Sequence, residues 1–178
     1  MFETLVIIAF VIAIIIAIVL ILAMTKPDTF RVERAATVNA PAEKVFPLIS
    51  DFRQWMNWSP WEGRDPAMKR SYSGAERGKG AVYAWEGNKN VGCGCMEILE
   101  ASSPSKIVIK LDFLKPFEAH NTAEFTMLPR GGATSVAWVM HGPAPFMSKV
   151  MHVFMNMDRM IGKDFEAGLA NLKTISEK

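Results

Sequence analysis

Three side chains in this 178-residue chain could move a proton in an otherwise apolar setting: Glu97, Tyr83 and His141. Glu97 follows Cys93 and Cys95 at two-residue steps on a strand-like run, so it is expected to face inward with them. A carboxylate buried there would have a raised pKa and could act as a general acid or base. It could equally bond a ligand hydroxyl, pair with an arginine, or be turned to water by a bulge. Cys93 and Cys95, flanked by Gly92 and Gly94, diverge too far for an easy disulfide and lack further ligands at zinc spacing. They read as small residues facing a helix or cavity, with the glycines allowing bending or close approach. His120 and His152 are isolated, and Asp112 is expected on the exposed face of an apolar strand. No metal motif, nucleophile elbow, phosphate loop or dinucleotide fingerprint occurs, so neither metal nor cofactor is expected.

A second chemical feature is aromatic. Trp55, Trp58 and Trp61 fall within seven residues, around the extended turn of Ser59-Pro60. Three indoles in one loop require either a deep core or the wall of a ligand pocket, where each supplies apolar area and one N–H donor.

These residues are positioned by two sorts of element. Leu5 to Met24 carries no charge and, as a helix, spans roughly 30 Å, the thickness of a hydrocarbon core. No basic start or Ala-x-Ala cleavage site accompanies it, so a retained membrane anchor is expected rather than a signal peptide. Lys26, Arg31 and Arg34 follow it and no basic residue precedes it, which places the folded part in the cytoplasm. Residues 1–26 thus form an anchor and residues 27–178 one domain. Net charge is +2, with no long basic run, so nucleic acid is an unsuitable partner.

After the anchor, residues 30–39 read as a strand, with Arg34 as a flaw in its apolar side. Asn39 or Ala40 is expected to cap a first short helix with Pro41 in its first turn, and Asp51 to cap a second. Six strand patterns follow at intervals of about ten residues, separated by Gly-, Asn- and Pro-rich turns, which predicts an antiparallel meander. From Pro145 to Ile175, apolar residues recur every three or four positions, predicting one long helix.

The order of strand, two small helices, six strands and long helix resembles the helix-grip fold of the START-like SRPBCC superfamily, most closely its polyketide cyclase/dehydrase branch. The likeness rests on Ala40-Pro41-Ala42-Glu43-Lys44-Val45-Phe46 followed by Ile49-Ser50-Asp51-Phe52 and Trp55. It rests also on Trp58-Ser59-Pro60-Trp61, Gly78-Lys79-Gly80-Ala81, Gly131-Gly132-Ala133-Thr134 before Trp138, and residues 165–173 (FEAGLANLK). It implies an α+β fold with a curved antiparallel sheet around a long C-terminal helix, preceded here by one transmembrane helix. It also implies an apolar cavity between sheet and helix. The expected lining is Trp55, Trp58, Trp61, Tyr83, Trp85, Cys95, Glu97, Trp138, Met147 and Met151, the methionines being adaptable wall material. The expected function is a membrane-anchored binding or transport module for a hydrophobic small molecule or lipid. One alternative is a cyclase or dehydratase working through Glu97, Tyr83 or His141. The other is an accessory subunit whose Ala9, Ala13 and Ala17 row packs against another membrane protein.

Overall fold

The structure, a computed structural model, describes residues 2–178. The first element is helix α1 (Phe2–Met24), whose one charged residue, Glu3, lies in its first turn. Strand β1 (Thr29–Val38) follows, then α2 (Ala42–Ser50) and a 3-10 helix over Phe52–Asn57. Pro41 occupies the position before α2 without a side-chain cap, so the cap lies one residue beyond the expected Ala40. Asp51 caps the 3-10 helix as expected, its carboxylate accepting from the Arg53 N–H at 2.9 Å.

The meander comprises β2 (Lys69–Gly74), β3 (Ala81–Glu86), β4 (Cys93–Ser102), β5 (Lys106–Lys115), β6 (Ala119–Arg130) and β7 (Ala133–Pro143). One seven-stranded sheet results, ordered β1-β7-β6-β5-β4-β3-β2, with the consecutive strands β2 to β7 paired antiparallel. Two helices complete the chain, α3 (Phe146–Phe154) and α4 (Met157–Ser176).

The single helix expected from Pro145 to Ile175 is therefore two. Met155 adopts an extended conformation (φ −123°, ψ 130°) and closes α3 with its own N–H on Met151 O. Asn156 is a residue type that favours helix boundaries over helix interiors, and Asp158 supplies a carboxylate to the first turn of α4. The apolar periodicity stays in phase across the break, so it does not reveal it.

Two compact units make up the chain. The larger comprises Arg31–Gly142 and Asp158–Lys178; the smaller joins the segment up to Phe30 with Pro143–Met157. In the larger unit, α4 buries Phe165, Leu169 and Leu172 along one stripe, each contributing about 1.5–3 kcal/mol by removal from water. Gly168 lies in the same stripe because a methyl group there would come within 2.8 Å of the Trp138 ring. The apparent flaw in β1 is an ionic tie: Arg34 Nε donates to Glu166 at 2.7 Å, and its terminal nitrogens donate to Asp158 at 3.0 Å.

Candidate functional site

Strand register decides which candidates can meet. On the buried face, Tyr83, Met96, Leu111 and Asn121 stand side by side across β3 to β6, and Ile98, Ile109, Ala123 and Met140 across β4 to β7. The opposite face carries two further rows. One contains Glu97, Lys110, Thr122 and His141, and the other Cys95, Asp112 and His120. Side chains one residue apart point to opposite faces. The inward orientation expected for Cys93, Cys95 and Glu97 is thus reversed: Gly94, Met96 and Ile98 face the core, and Glu97 is exposed. His141 likewise lies on the outer face, its Nε2 2.9 Å from Glu124 Oε1. Gly94 is accommodated on the inner face because it has no side chain: a Cβ there would meet Asp112 O at 2.3 Å and the Trp85 ring at 2.6 Å. Trp85 folds over that glycine and donates its indole N–H to Val91 O at 3.0 Å.

Asp112 is on the outer face as expected, but it is buried rather than exposed, because Lys110 and His120 cover it, each at 2.8 Å. The Lys110 ammonium, then the His120 ring, hold the Asp112 carboxyl below its usual range, and that carboxylate raises His120.

Among the three proton-transfer candidates, Tyr83 alone faces inward. Its hydroxyl donates to Glu62 Oε1 at 2.7 Å, and Arg70 Nε donates to Glu62 Oε2 at 2.7 Å. Arg70 also donates to Met68 O at 2.7 Å. The side chains of Glu62 and Arg70 are only 8% and 16% exposed, so this ion pair is withdrawn from water. The local sequence builds it in three steps. Pro60 occupies the second position of a turn closed by the Glu62 N–H on Ser59 O, a site that suits its fixed φ. Asp65 then pins the loop, accepting from the N–H groups of Ala67 at 3.1 Å and Asn88 at 2.7 Å. Finally, Arg70 and Tyr72 lie opposite Trp85 and Tyr83 on the paired strands β2 and β3, which brings them to one face.

Rings enclose this polar group. Tyr83 stacks on Tyr72 at 5.3 Å and on Trp85 at 6.0 Å, and Arg53 lies 5.1 Å from the Tyr72 centroid. Burial, then the hydrogen bond to Glu62, pushes the Tyr83 phenol far above its ordinary value; burial also raises Tyr72. Tyr83 is therefore a neutral donor whose proton is committed to Glu62, leaving its oxygen lone pairs as acceptors.

The tryptophan loop divides in role. The indole N–H of Trp55 donates to Ile49 O and that of Trp58 to Leu48 O, both at 2.9 Å, so these two buried rings bolt the loop to α2. Trp138 stacks face to face on Phe165 of α4 at 4.1 Å and against Phe125 at 4.8 Å, and Trp61 closes edge-on at 5.6 Å. Sheet and α4 are in ring-to-ring contact there. The Trp138 N–H is buried without a hydrogen-bond partner among the described residues. Met147 and Met151 lie on α3 in the smaller unit and are exposed. A recess of about 380 Å³ opens beside Arg64 and Asn90. Among the described residues, no three His, Cys, Asp or Glu side chains gather to hold a metal ion.

Sequence reasoning did not single out Glu62, Arg70 or Tyr72 as site residues. The available signal was the two-residue step from Arg70 to Tyr72 beside the aromatic Tyr83 and Trp85, legible only once the pairing of β2 with β3 is known.

An antiparallel sheet against a C-terminal helix, with a buried polar group among aromatic rings, defines a helix-grip protein. Residues 29–177 match the family model described as polyketide cyclase / dehydrase and lipid transport, and the chain belongs to that family. The Zhui aromatase/cyclase of a Streptomyces species is similar in structure, with a TM-score of 0.61 at 15% identity, covering 84% of this chain and 94% of that one. A protein of Chromobacterium violaceum aligns with a TM-score of 0.59 at 15% identity over 86% of this chain and 99% of its own. The di-domain ARO/CYC protein BexL gives 0.60 at 16% identity over 88% of this chain and 53% of BexL. No curated protein matches the chain.

Proposed function

We propose that this protein binds a hydrophobic small molecule or lipid within its helix-grip domain and is held at a membrane by α1, with the domain on the cytoplasmic side. One observation carries the reading: the Tyr83–Glu62–Arg70 group, a neutral, fully partnered polar set among rings. Such a set orients one polar end of an otherwise apolar ligand. A ligand hydroxyl would donate to the Tyr83 oxygen, and the rings of Tyr72, Tyr83 and Trp85 would cover the apolar part. The Trp138 N–H, without a partner among the described residues, offers a donor. The family description, which includes lipid transport, agrees with this use, and α1 is long and apolar enough to cross a membrane.

Mass spectrometry of organic extracts from the purified full chain tests the reading. A hydrophobic compound should be retained, and Tyr83→Phe should reduce its occupancy about fivefold to tenfold, the share of one net hydrogen bond. Equal retention by both proteins, or none by either, contradicts it.

Proton-transfer catalysis is a second reading, favoured by a single fact: Tyr83 keeps a carboxylate partner on the buried face. On this reading Glu62 takes a proton from the ligand, and Tyr83 holds the ligand oxygen. Turnover should fall by about 10²–10⁴ in Glu62→Gln while the compound is still retained. An unchanged rate in that variant would remove the second reading.

A further inference from the structure

The burial pattern of α3 is inverted. Its buried residue is Lys149, 9% exposed, whereas Phe154 is 72% and Met147 70% exposed, and Phe146, Met151 and Met155 at its end are exposed as well. Positions 147, 151 and 154 fall on one helix face. A helix on a domain in water places such residues inward and its lysine outward. The arrangement fits a helix whose outer side meets something apolar.

The smaller unit indicates what that is. Within it α3 packs against α1. The Ala144 N–H donates to Asp28 O at 2.7 Å, and the Lys149 ammonium is paired with the Asp28 carboxylate. Asp28 follows Met24, the last residue of α1, by four positions, so the tie lies at most about 14 Å along the chain from the end of the span. The one buried residue of α1 is Ala23, next to that end. Lys149 is paired with Asp28, α3 contains no acidic residue, and its other basic side chain, His152, is half-buried, so the face of Met147, Met151 and Phe154 carries no charge that a bilayer would reject.

We infer that α3 is a second lipid contact, lying in the interfacial layer of the bilayer that α1 crosses, with Met147, Met151 and Phe154 toward the acyl chains. This rests on the reading of α1 as an anchor. A helix of nine residues is about 13.5 Å long, and interfacial helices bury their apolar face about 5–10 Å deep. The contact would hold the smaller unit to the membrane surface at a second point.

The test uses the full chain in vesicles of phosphatidylcholine and phosphatidylglycerol. A bimane label is placed on Met147→Cys, Phe154→Cys, Ile12→Cys or Leu128→Cys, each in a Cys93→Ser/Cys95→Ser background. Leu128, exposed on β6, reports on water, and Ile12 on the span. Nitroxide lipids should quench the labels at 12, 147 and 154, and iodide should quench 147 and 154 at least twofold less than 128. Labels at 147 and 154 as open to iodide as 128, with 12 still quenched by lipid, overturn the inference and leave the anchor intact. Labels shielded from both quenchers mean that protein covers α3, a second copy included, and also overturn it. Loss of lipid quenching at 12 removes the anchor reading, and this inference with it. Near-UV circular dichroism of each labelled chain confirms that its fold is unchanged.

Discussion

Glu62→Ala is the sharpest perturbation of the buried polar group. It leaves the Arg70 guanidinium, 16% exposed, without a carboxylate, and the Tyr83 hydroxyl without its acceptor. Removing one partner of a withdrawn ion pair costs about 3–5 kcal/mol, and an orphaned hydroxyl about 1–3 kcal/mol. The two losses share one carboxylate and do not add. The remaining Arg70 bond to Met68 O offsets part of the cost, so a loss of about 4 kcal/mol is expected. In a domain of this size that corresponds to a fall of roughly 8–16 °C in Tm. Tyr83→Phe, which keeps the Glu62–Arg70 pair, should cost only about 1 kcal/mol. Glu62→Leu with Arg70→Met removes both charges and should recover more than half of the loss. Urea unfolding of the full chain in mild detergent, followed by tryptophan fluorescence, measures all three. If Glu62→Ala lies within about 1 kcal/mol of the wild type, or if the double variant is no more stable than Glu62→Ala, the group does not act as a buried unit.

Other consequences are as direct. Gly168→Val should drive Trp138 off Phe165 and cost about 1–3 kcal/mol, with loss of near-UV ellipticity; an unchanged spectrum contradicts the close contact. On the outer face, Asp112 has a depressed folded pKa, so its contribution to stability is full above the unfolded value and fades as pH falls through the folded one. His120 has a raised folded pKa, so its contribution is full below about pH 6.5 and is lost as pH rises through the folded value. Stability at low salt should therefore be highest between about pH 4 and 6.5 on account of this pair, and His120→Gln should flatten the upper limb. His120 is largely exposed, so the effect should shrink at 1 M salt; a limb unchanged in the variant assigns it to other groups. Ile14→Arg with Ile15→Arg should release the chain from the membrane fraction on carbonate extraction, and retention equal to the wild type would refute α1 as a span.

The parts of this protein that depend on neighbouring residues along the chain were legible before any coordinates. Twenty uncharged residues from Leu5 to Met24 specify an apolar helix, and period-two runs between turn residues specify β2 to β7. The apolar repeat around Phe165, Leu169 and Leu172 specifies the buried stripe of α4. Local periodicity encodes these features because hydrophobic burial and backbone geometry act over a few residues. The face of β4 is another matter. Its Cys-Gly-Cys-Met-Glu-Ile run presents small or apolar residues at both parities up to Met96. Only pairing of Met96 with Tyr83 and Leu111 decides that Glu97 goes outward. Tertiary structure likewise joins Glu62 to Tyr83, twenty-one residues on, and Arg34 to Glu166, across most of the chain. It also sets which side of α3 is covered, since Lys149 is buried and reaches the exposed Asp28 carboxylate, a pairing that no pattern within the helix records. Those contacts are long-range and electrostatic or steric, and a one-dimensional pattern carries no record of the partner that makes them.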